Sequence, residues 1–170
     1  MVRYALPFDG PARALVHALK YSGRRGAADA LVSAAAADAR AAASAGVDAL
    51  VPVPLHPSRR RERGFNQAEV LARGLAGVLG VPVAEGCLAR TRPTRTQTGL
   101  DRRERAVNVR GAFEAAPPPG TGRVLLVDDV VTTGATLSEA AGALAAAGVR
   151  CSCFAFVGAN RVDTPARGRL

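Results

Sequence analysis

Residues 124–136 read Val-Leu-Leu-Val-Asp-Asp-Val-Val-Thr-Thr-Gly-Ala-Thr. The chemistry in this run lies in two adjacent carboxylates, Asp128 and Asp129, and in the turn Thr132-Thr133-Gly134-Ala135-Thr136 that follows them. Carboxylates side by side accept hydrogen bonds from hydroxyl groups or bind a hard divalent cation. A hydroxyl-rich turn with a glycine offers hydroxyl and backbone N–H donors, and the missing Cβ of Gly134 lets the backbone approach a ligand closely. Four apolar residues before the acids, Val124 to Val127, predict a buried parallel strand. Leu137 to Leu144 after the turn predicts a helix, whose N-terminus adds partial positive charge for an anion.

These parts have separate tasks. The turn suits a phosphate, which the acids would repel. The acids suit ribose hydroxyls or a cation. A site wanting a phosphate and a diol implies a ribose 5-phosphate moiety. In an open α/β sheet such a ligand sits beyond the carboxyl ends of the strands. The chain has no Gly-x-x-x-x-Gly-Lys-Ser/Thr loop, and no Gly-x-Gly-x-x-Gly follows a strand.

This run resembles the signature of type I phosphoribosyltransferases, which bind 5-phosphoribosyl 1-pyrophosphate (PRPP). The resemblance implies that Asp128 and Asp129 hold the ribose 2′- and 3′-hydroxyls, directly or through Mg²⁺, and that Thr132, Thr133, Gly134, Ala135 and Thr136 hold the 5′-phosphate. Three further segments narrow it. They are His17-Ala18-Leu19-Lys20-Tyr21-Ser22-Gly23; Val51-Pro52-Val53-Pro54-Leu55 with Arg63-Gly64-Phe65-Asn66-Gln67-Ala68; and Gln97, Arg105 and Asn108-Val109-Arg110-Gly111-Ala112-Phe113. With the PRPP motif they look like the ComF (competence protein F) branch, over about residues 13–157. By that resemblance the loop after Val53-Pro54, with Arg63 and Gly64, is a pyrophosphate site. Residues 90–110 are then the loop that closes over PRPP, with Gln97 on the pyrophosphate and Arg105 among the catalytic residues. Arg59 to Arg61 read equally well as solvated charge, and for Arg102 and Arg103 that reading is favoured over a pyrophosphate contact. Relatives of this kind carry a Cys-rich zinc segment before the Lys-Tyr helix, whereas the first cysteine here is Cys87, so no zinc is expected.

Around these motifs the expected elements alternate. Helices are expected over 11–22, with Asp9 as a cap, and over the Ala-rich 26–44, anchored by Leu31 and Val32. A strand is expected over 48–55, its prolines at the end. A basic loop over 56–67 then leads to a helix capped by Asn66 and lined by Val70, Leu71, Leu75 and Leu79. Extended pieces at 81–83, 88–90 and 111–114, a helical turn at 101–106, a strand at 124–128, a helix at 136–147 and a strand at 150–157 complete the order. The implied fold class is α/β, the type I phosphoribosyltransferase fold: a mostly parallel sheet flanked by helices, in one compact domain. Residues 1–45 would form a small helical hood and residues 46–170 the core.

Composition fits one globular domain: 170 residues, 48% hydrophobic and 22% charged. No apolar run reaches membrane-spanning length and no secretory stretch opens the chain, so the expected location is cytoplasmic. Cys87, Cys151 and Cys153 make no disulfide framework; the last two should share one face of a strand as small buried side chains. Lys20 is the only lysine beside 22 arginines. Residues 59–110 hold twelve arginines against five acids, and so carry seven of the nine net positive charges. Such a segment attracts polyanions or nucleic acid. His17 reads as structural, and a catalytic role is not favoured for His56.

The expected activity is transfer of ribosyl 5-phosphate from PRPP with Mg²⁺ to an unidentified small-molecule acceptor, with release of pyrophosphate. The rival, implied by the family's name, is a non-catalytic PRPP-binding or nucleic-acid-binding role in DNA uptake, with uptake proteins as partners. An oligomer is compatible with either.

Overall fold

The computed structural model describes residues 2–22, 25–93 and 102–159. The order is β1 (Val2–Pro7), α1 (Gly10–Ser22), α2 (Arg25–Ala42), β2 (Ala49–Pro52), α3 (Pro57–Arg63), α4 (Gln67–Leu79), β3 (Leu88–Arg90), α5 (Arg102–Val109), β4 (Phe113–Ala115), β5 (Arg123–Val131), α6 (Ala135–Ala146) and β6 (Arg150–Gly158). The main sheet runs β1-β6-β5-β2 with every pairing parallel. Val83 extends it beyond β2 by a single parallel bridge to Leu50. β3 and β4 pair antiparallel in a separate ribbon. Among the described residues no helix is long and apolar enough to cross a membrane.

β5 is interior because both of its faces are apolar. Successive side chains of a strand point to opposite faces, and here Leu125 and Val127 join one buried cluster while Val124 and Leu126 join the other. The first cluster is closed by α1, α2 and α4, through Val16, Leu19, Leu31, Ala35, Leu71 and Leu75. The second is closed by α6, through Leu137, Ala140 and Leu144, and by the β3–β4 ribbon, through Leu88 and Phe113. The chain therefore leaves β2 toward one face, in α4, and leaves β5 toward the other, in α6. The crevice between the carboxyl ends of these neighbouring strands is the switch point where α/β sheets bind ligands.

Several expectations change. Residues 1–45 are not wholly helical, because Val2–Pro7 form an edge strand paired with β6. The apolar alternation Val2, Tyr4, Leu6 was its available signal. The basic stretch after β2 is not all loop: Pro57–Arg63 is helical, with His56 as N-cap accepting from the Ser58 backbone N–H and Gly64 ending it at φ 81°. Pro57 at the first helical position fits this start. The turn expected at 101–106 is the longer α5, and the strand expected at 124–128 runs on to Val131. Cys151 and Cys153 do share a face, with their sulfurs 3.8 Å apart.

The α2–α4 crossing is close at one point. A Cβ on Gly74 would lie 2.7 Å from Val32 Cγ2, whereas one on Gly77 would meet nothing within 4 Å. Val32 is buried and β-branched, so it has little freedom to turn aside. Urea unfolding should separate the two: Gly77→Ala gains about 0.5–1 kcal/mol from helix propensity, and Gly74→Ala loses about 1–3 kcal/mol by overpacking.

Candidate functional site

The crevice is held by Asn66. Its Oδ1 accepts from the Ala68 N–H at 3.1 Å and caps α4, and its Nδ2 donates to the Val53 carbonyl at 3.0 Å, all in a side chain 2% exposed. One residue thus fixes the exit of β2 to the entry of α4. The Val53 N–H donates to the Val127 carbonyl at 2.8 Å, bringing the β2 exit alongside the acid pair.

Asp128 and Asp129 lie within β5, three and two residues before its end. Asp128 Oδ1 accepts from the Asp129 N–H at 2.9 Å, and Asp129 Oδ1 accepts from the Val130 N–H at 2.8 Å. Lys20, in the last turn of α1, pairs with Asp129 Oδ2 at 2.7 Å. Burial and the neighbouring Asp129 charge raise the Asp128 carboxyl well above the ordinary carboxylate range, while the Asp129 N–H and Lys20 pull it down less strongly.

Beyond the acids, Gly134 is the N-cap of α6 at φ 78°, a left-handed conformation that favours glycine. No side chain caps the helix and no acid lies in its first turn. The Thr133 Oγ1 accepts weakly from the Ala135 N–H at 3.4 Å. Thr132, Thr133, Gly134, Ala135 and Thr136 are all half-buried. The helix start therefore presents partial positive charge that suits an anion.

After the β2 exit lies a groove of about 580 Å³ lined by Pro54, Leu55, Pro57, Arg60, Arg61, Gly64, Ala89 and Arg90. Arg60 pairs with Glu69. Arg90 packs over the Phe113 ring at 5.3 Å. Burial lowers the Arg90 pKa and attraction to Asp128 opposes that, so the groove and the acid pair share one electrostatic field. Arg92 donates to the Asn108 and Arg110 carbonyls at 3.0 and 2.5 Å, and Glu139 of α6 accepts from the Gly111 N–H at 2.6 Å. These bonds fasten both stems of the segment expected to close over the site.

The expected residues distribute as follows. Asp128, Asp129 and the residues 132–136 come together at one crevice, and Gly64 lines the adjoining groove. Arg63 is half-buried, with Nη1 donating to Gln67 Oε1 at 2.8 Å, so part of its guanidinium is already engaged. Gln97 lies outside the described residues. Arg105 lies in α5 by its backbone, and its side chain is outside them. His56 caps a helix. From sequence Lys20 is open between an ion pair and a ligand contact, and the structure shows the ion pair with Asp129; Arg90 was missed as a site residue, since only folding brings the β3–β4 ribbon near β5.

Magnesium needs oxygen ligands, usually one or two carboxylates with water and substrate oxygens. The acid pair fits that chemistry. Both Asp129 oxygens have partners, so Asp128 is the better direct donor, with Asp129 acting through water. Among the described residues no group of three or more His, Cys, Asp or Glu could hold a metal, so a cation here would draw its other ligands from substrate and solvent.

The like-charge contact has a stability consequence. With its folded-state pKa raised, Asp128 costs stability above that pKa and nothing below the unfolded carboxylate value near ~3.9. Asp128→Asn should therefore melt a few degrees higher than the unsubstituted protein at neutral pH while losing ligand binding. The gap should close as pH falls through the folded pKa. Calorimetric melting across pH checks this, and a lower melting temperature for Asp128→Asn at neutral pH would contradict it.

Comparison with known proteins follows the geometry. The family model described as "Phosphoribosyl transferase domain" matches residues 62–166. "Competence protein F" of Haemophilus influenzae is 41% identical over 95 residues, covering 54% of this chain and 42% of that protein. "DNA utilization protein YhgH" of Salmonella typhi is 38% identical over 138 residues, covering 79% of this chain and 61% of that protein. The chain thus spans about half of the length of these curated relatives. "Competence protein ComFC" of Streptococcus pneumoniae is 33% identical over 100 residues, covering 59% of this chain and 43% of that protein. The structure of Leishmania donovani UMP synthase aligns with a TM-score of 0.47 at 17% identity, over 85% of this chain and 29% of that one. From the matched domain and these relatives, the chain belongs to the competence protein F family, whose members carry a phosphoribosyltransferase-like domain of α/β type I fold.

Proposed function

We propose that the protein binds PRPP with Mg²⁺ in the β2–β5 crevice and transfers its ribosyl 5-phosphate group to a nitrogen of a small acceptor. The observation that carries this reading is the sequence of features along one strand and turn: two recessed carboxylates, then a helix N-terminus with no capping side chain and no acid. The helix start and Thr132–Thr136 bind the 5′-phosphate. Asp128 and Asp129 accept from the ribose hydroxyls. The groove with Arg61, Gly64 and Arg90 receives the pyrophosphate, for which guanidinium forks are suited.

In the reaction the C1′–O bond to pyrophosphate breaks with its electron pair leaving on pyrophosphate. The acceptor nitrogen forms the C1′–N bond with its lone pair and loses a proton to solvent or a base. Magnesium, when bound with the substrate, supplies positive charge at the leaving group. The arginines of the groove add to that charge, and the acid pair offsets positive charge growing on the ribose ring. Residues 94–101 join the fastened stems, where a closing segment would exclude water.

A second reading is favoured by the relatives' names, which refer to competence and DNA utilization, and by the arginine-rich 59–110 segment. In it the groove holds nucleic-acid phosphates and the protein serves DNA uptake. It gives no physical reason for the acid pair.

Titration calorimetry with PRPP decides between them. Saturable binding strengthened by Mg²⁺ is expected, with a loss on the order of a hundredfold in Asp128→Asn/Asp129→Asn. No heat from folded protein at millimolar PRPP would overturn the reading. DNA binding that falls with salt and survives the double substitution would support the second one.

A further inference from the structure

Lys20 is a charged side chain that another layer delivers directly onto the acid pair. Its Nζ is 2.7 Å from Asp129 Oδ2, with the two side chains 24% and 14% exposed. Contact this recessed is screened less by water and salt than a surface ion pair. The delivery comes from packing: Ala12, Val16 and Leu19 bury the apolar face of α1 in the cluster it shares with α2, and Lys20 follows in the last turn.

We propose, resting on the reading above, that Lys20 is a positioning residue of the ribose site: its ammonium neutralises Asp129 and fixes that carboxylate for the ribose hydroxyls, so the diol binds there without a divalent cation.

Three observations support this. First, Asp129 has a positive partner on each oxygen, Lys20 on Oδ2 and the Val130 N–H on Oδ1. Oδ2 is buried beneath Lys20, so a hydroxyl would donate to the second acceptor site of Oδ1. Second, two carboxylates beside a phosphate turn repel the ligand's own negative charge, and one ammonium removes half of that repulsion. Third, this is the one lysine in a chain with 22 arginines. A compact ammonium with three rotatable donors can serve Asp129 and a ligand oxygen together, which a planar guanidinium fork cannot do in the same space.

The test uses ribose 5-phosphate, which has the diol and the phosphate but no pyrophosphate to chelate magnesium. Calorimetry compares the full chain with Lys20→Met, each in EDTA and in millimolar magnesium chloride. The unsubstituted protein should bind equally in both. Lys20→Met should lose on the order of tenfold or more in EDTA and recover part of it with magnesium. Equal affinity of the two proteins in EDTA overturns the proposal, as does a loss identical with and without magnesium, which marks a structural role. Magnesium-dependent binding by the unsubstituted protein also overturns it. If the unsubstituted protein binds neither ribose 5-phosphate nor PRPP, the underlying reading falls as well.

A second measurement needs no variant. Lys20 is the only side-chain amine, so acylation followed by peptide mapping reports on it alone. Ribose 5-phosphate in EDTA should slow Lys20 acylation several-fold, and an unchanged rate at saturation counts against the proposal.

Discussion

Two carboxylates in consecutive positions of a buried strand are the constraint around which this molecule is arranged. Side by side and recessed, they repel one another and lose hydration, and the rise in the Asp128 pKa expresses that cost. The structure offsets it from several directions. Backbone N–H groups of Asp129 and Val130 each take one oxygen, α1 brings Lys20, and the β3–β4 ribbon brings Arg90 into the same field. A strand-end acid pair with only solvent around it would need none of these. They converge at the switch point of the sheet, which is the feature on which the proposed ligand site rests.

The apolar scaffold explains how such a site is held steady. β5 is buried on both faces, so its position is set by packing and not by the few polar contacts near its end. Asn66 transmits that rigidity to the β2 exit by satisfying one backbone donor and one acceptor at once. Arg92 ties its strand end to the Asn108 and Arg110 carbonyls, and Glu139 ties Gly111 to α6. Of the groove arginines, Arg60 and Arg61 stand on the seven-residue α3, an element with no buried residue, whereas Arg90 stands on β3.

Membership of the competence protein F family gives the fold and the kind of domain. The geometry adds the arrangement of the acid pair, the left-handed Gly134 and an α6 N-terminus with no acid in its first turn. Nothing in nucleic-acid binding alone requires a diol acceptor next to a phosphate turn. If this family acts in DNA handling, a ribose 5-phosphate ligand is the natural signal or substrate for the domain to bring to that task.

The sequence by itself determined the parts whose information is local. Val124–Val127, the acid pair and the Thr-Gly turn declare strand, acceptors and anion site within thirteen residues, and Asn66 declares its helix cap. Leu71 and Leu75, at helical spacing, declare a buried face. The sequence misled where local chemistry has two readings: a basic run after β2 looks like loop until His56 and Gly64 close it into a helix, and Val2–Pro7 is too short to be a strand without β6 beside it. Tertiary structure alone decided that Lys20, more than a hundred residues before Asp129, lies in contact with it, and that Arg90 shares the field of Asp128. No spacing encodes those meetings. They follow from α1 burying its apolar face in the cluster it shares with α2 and from the β3–β4 ribbon covering the other side of the sheet; a periodic pattern declares that a face is buried but not which element covers it.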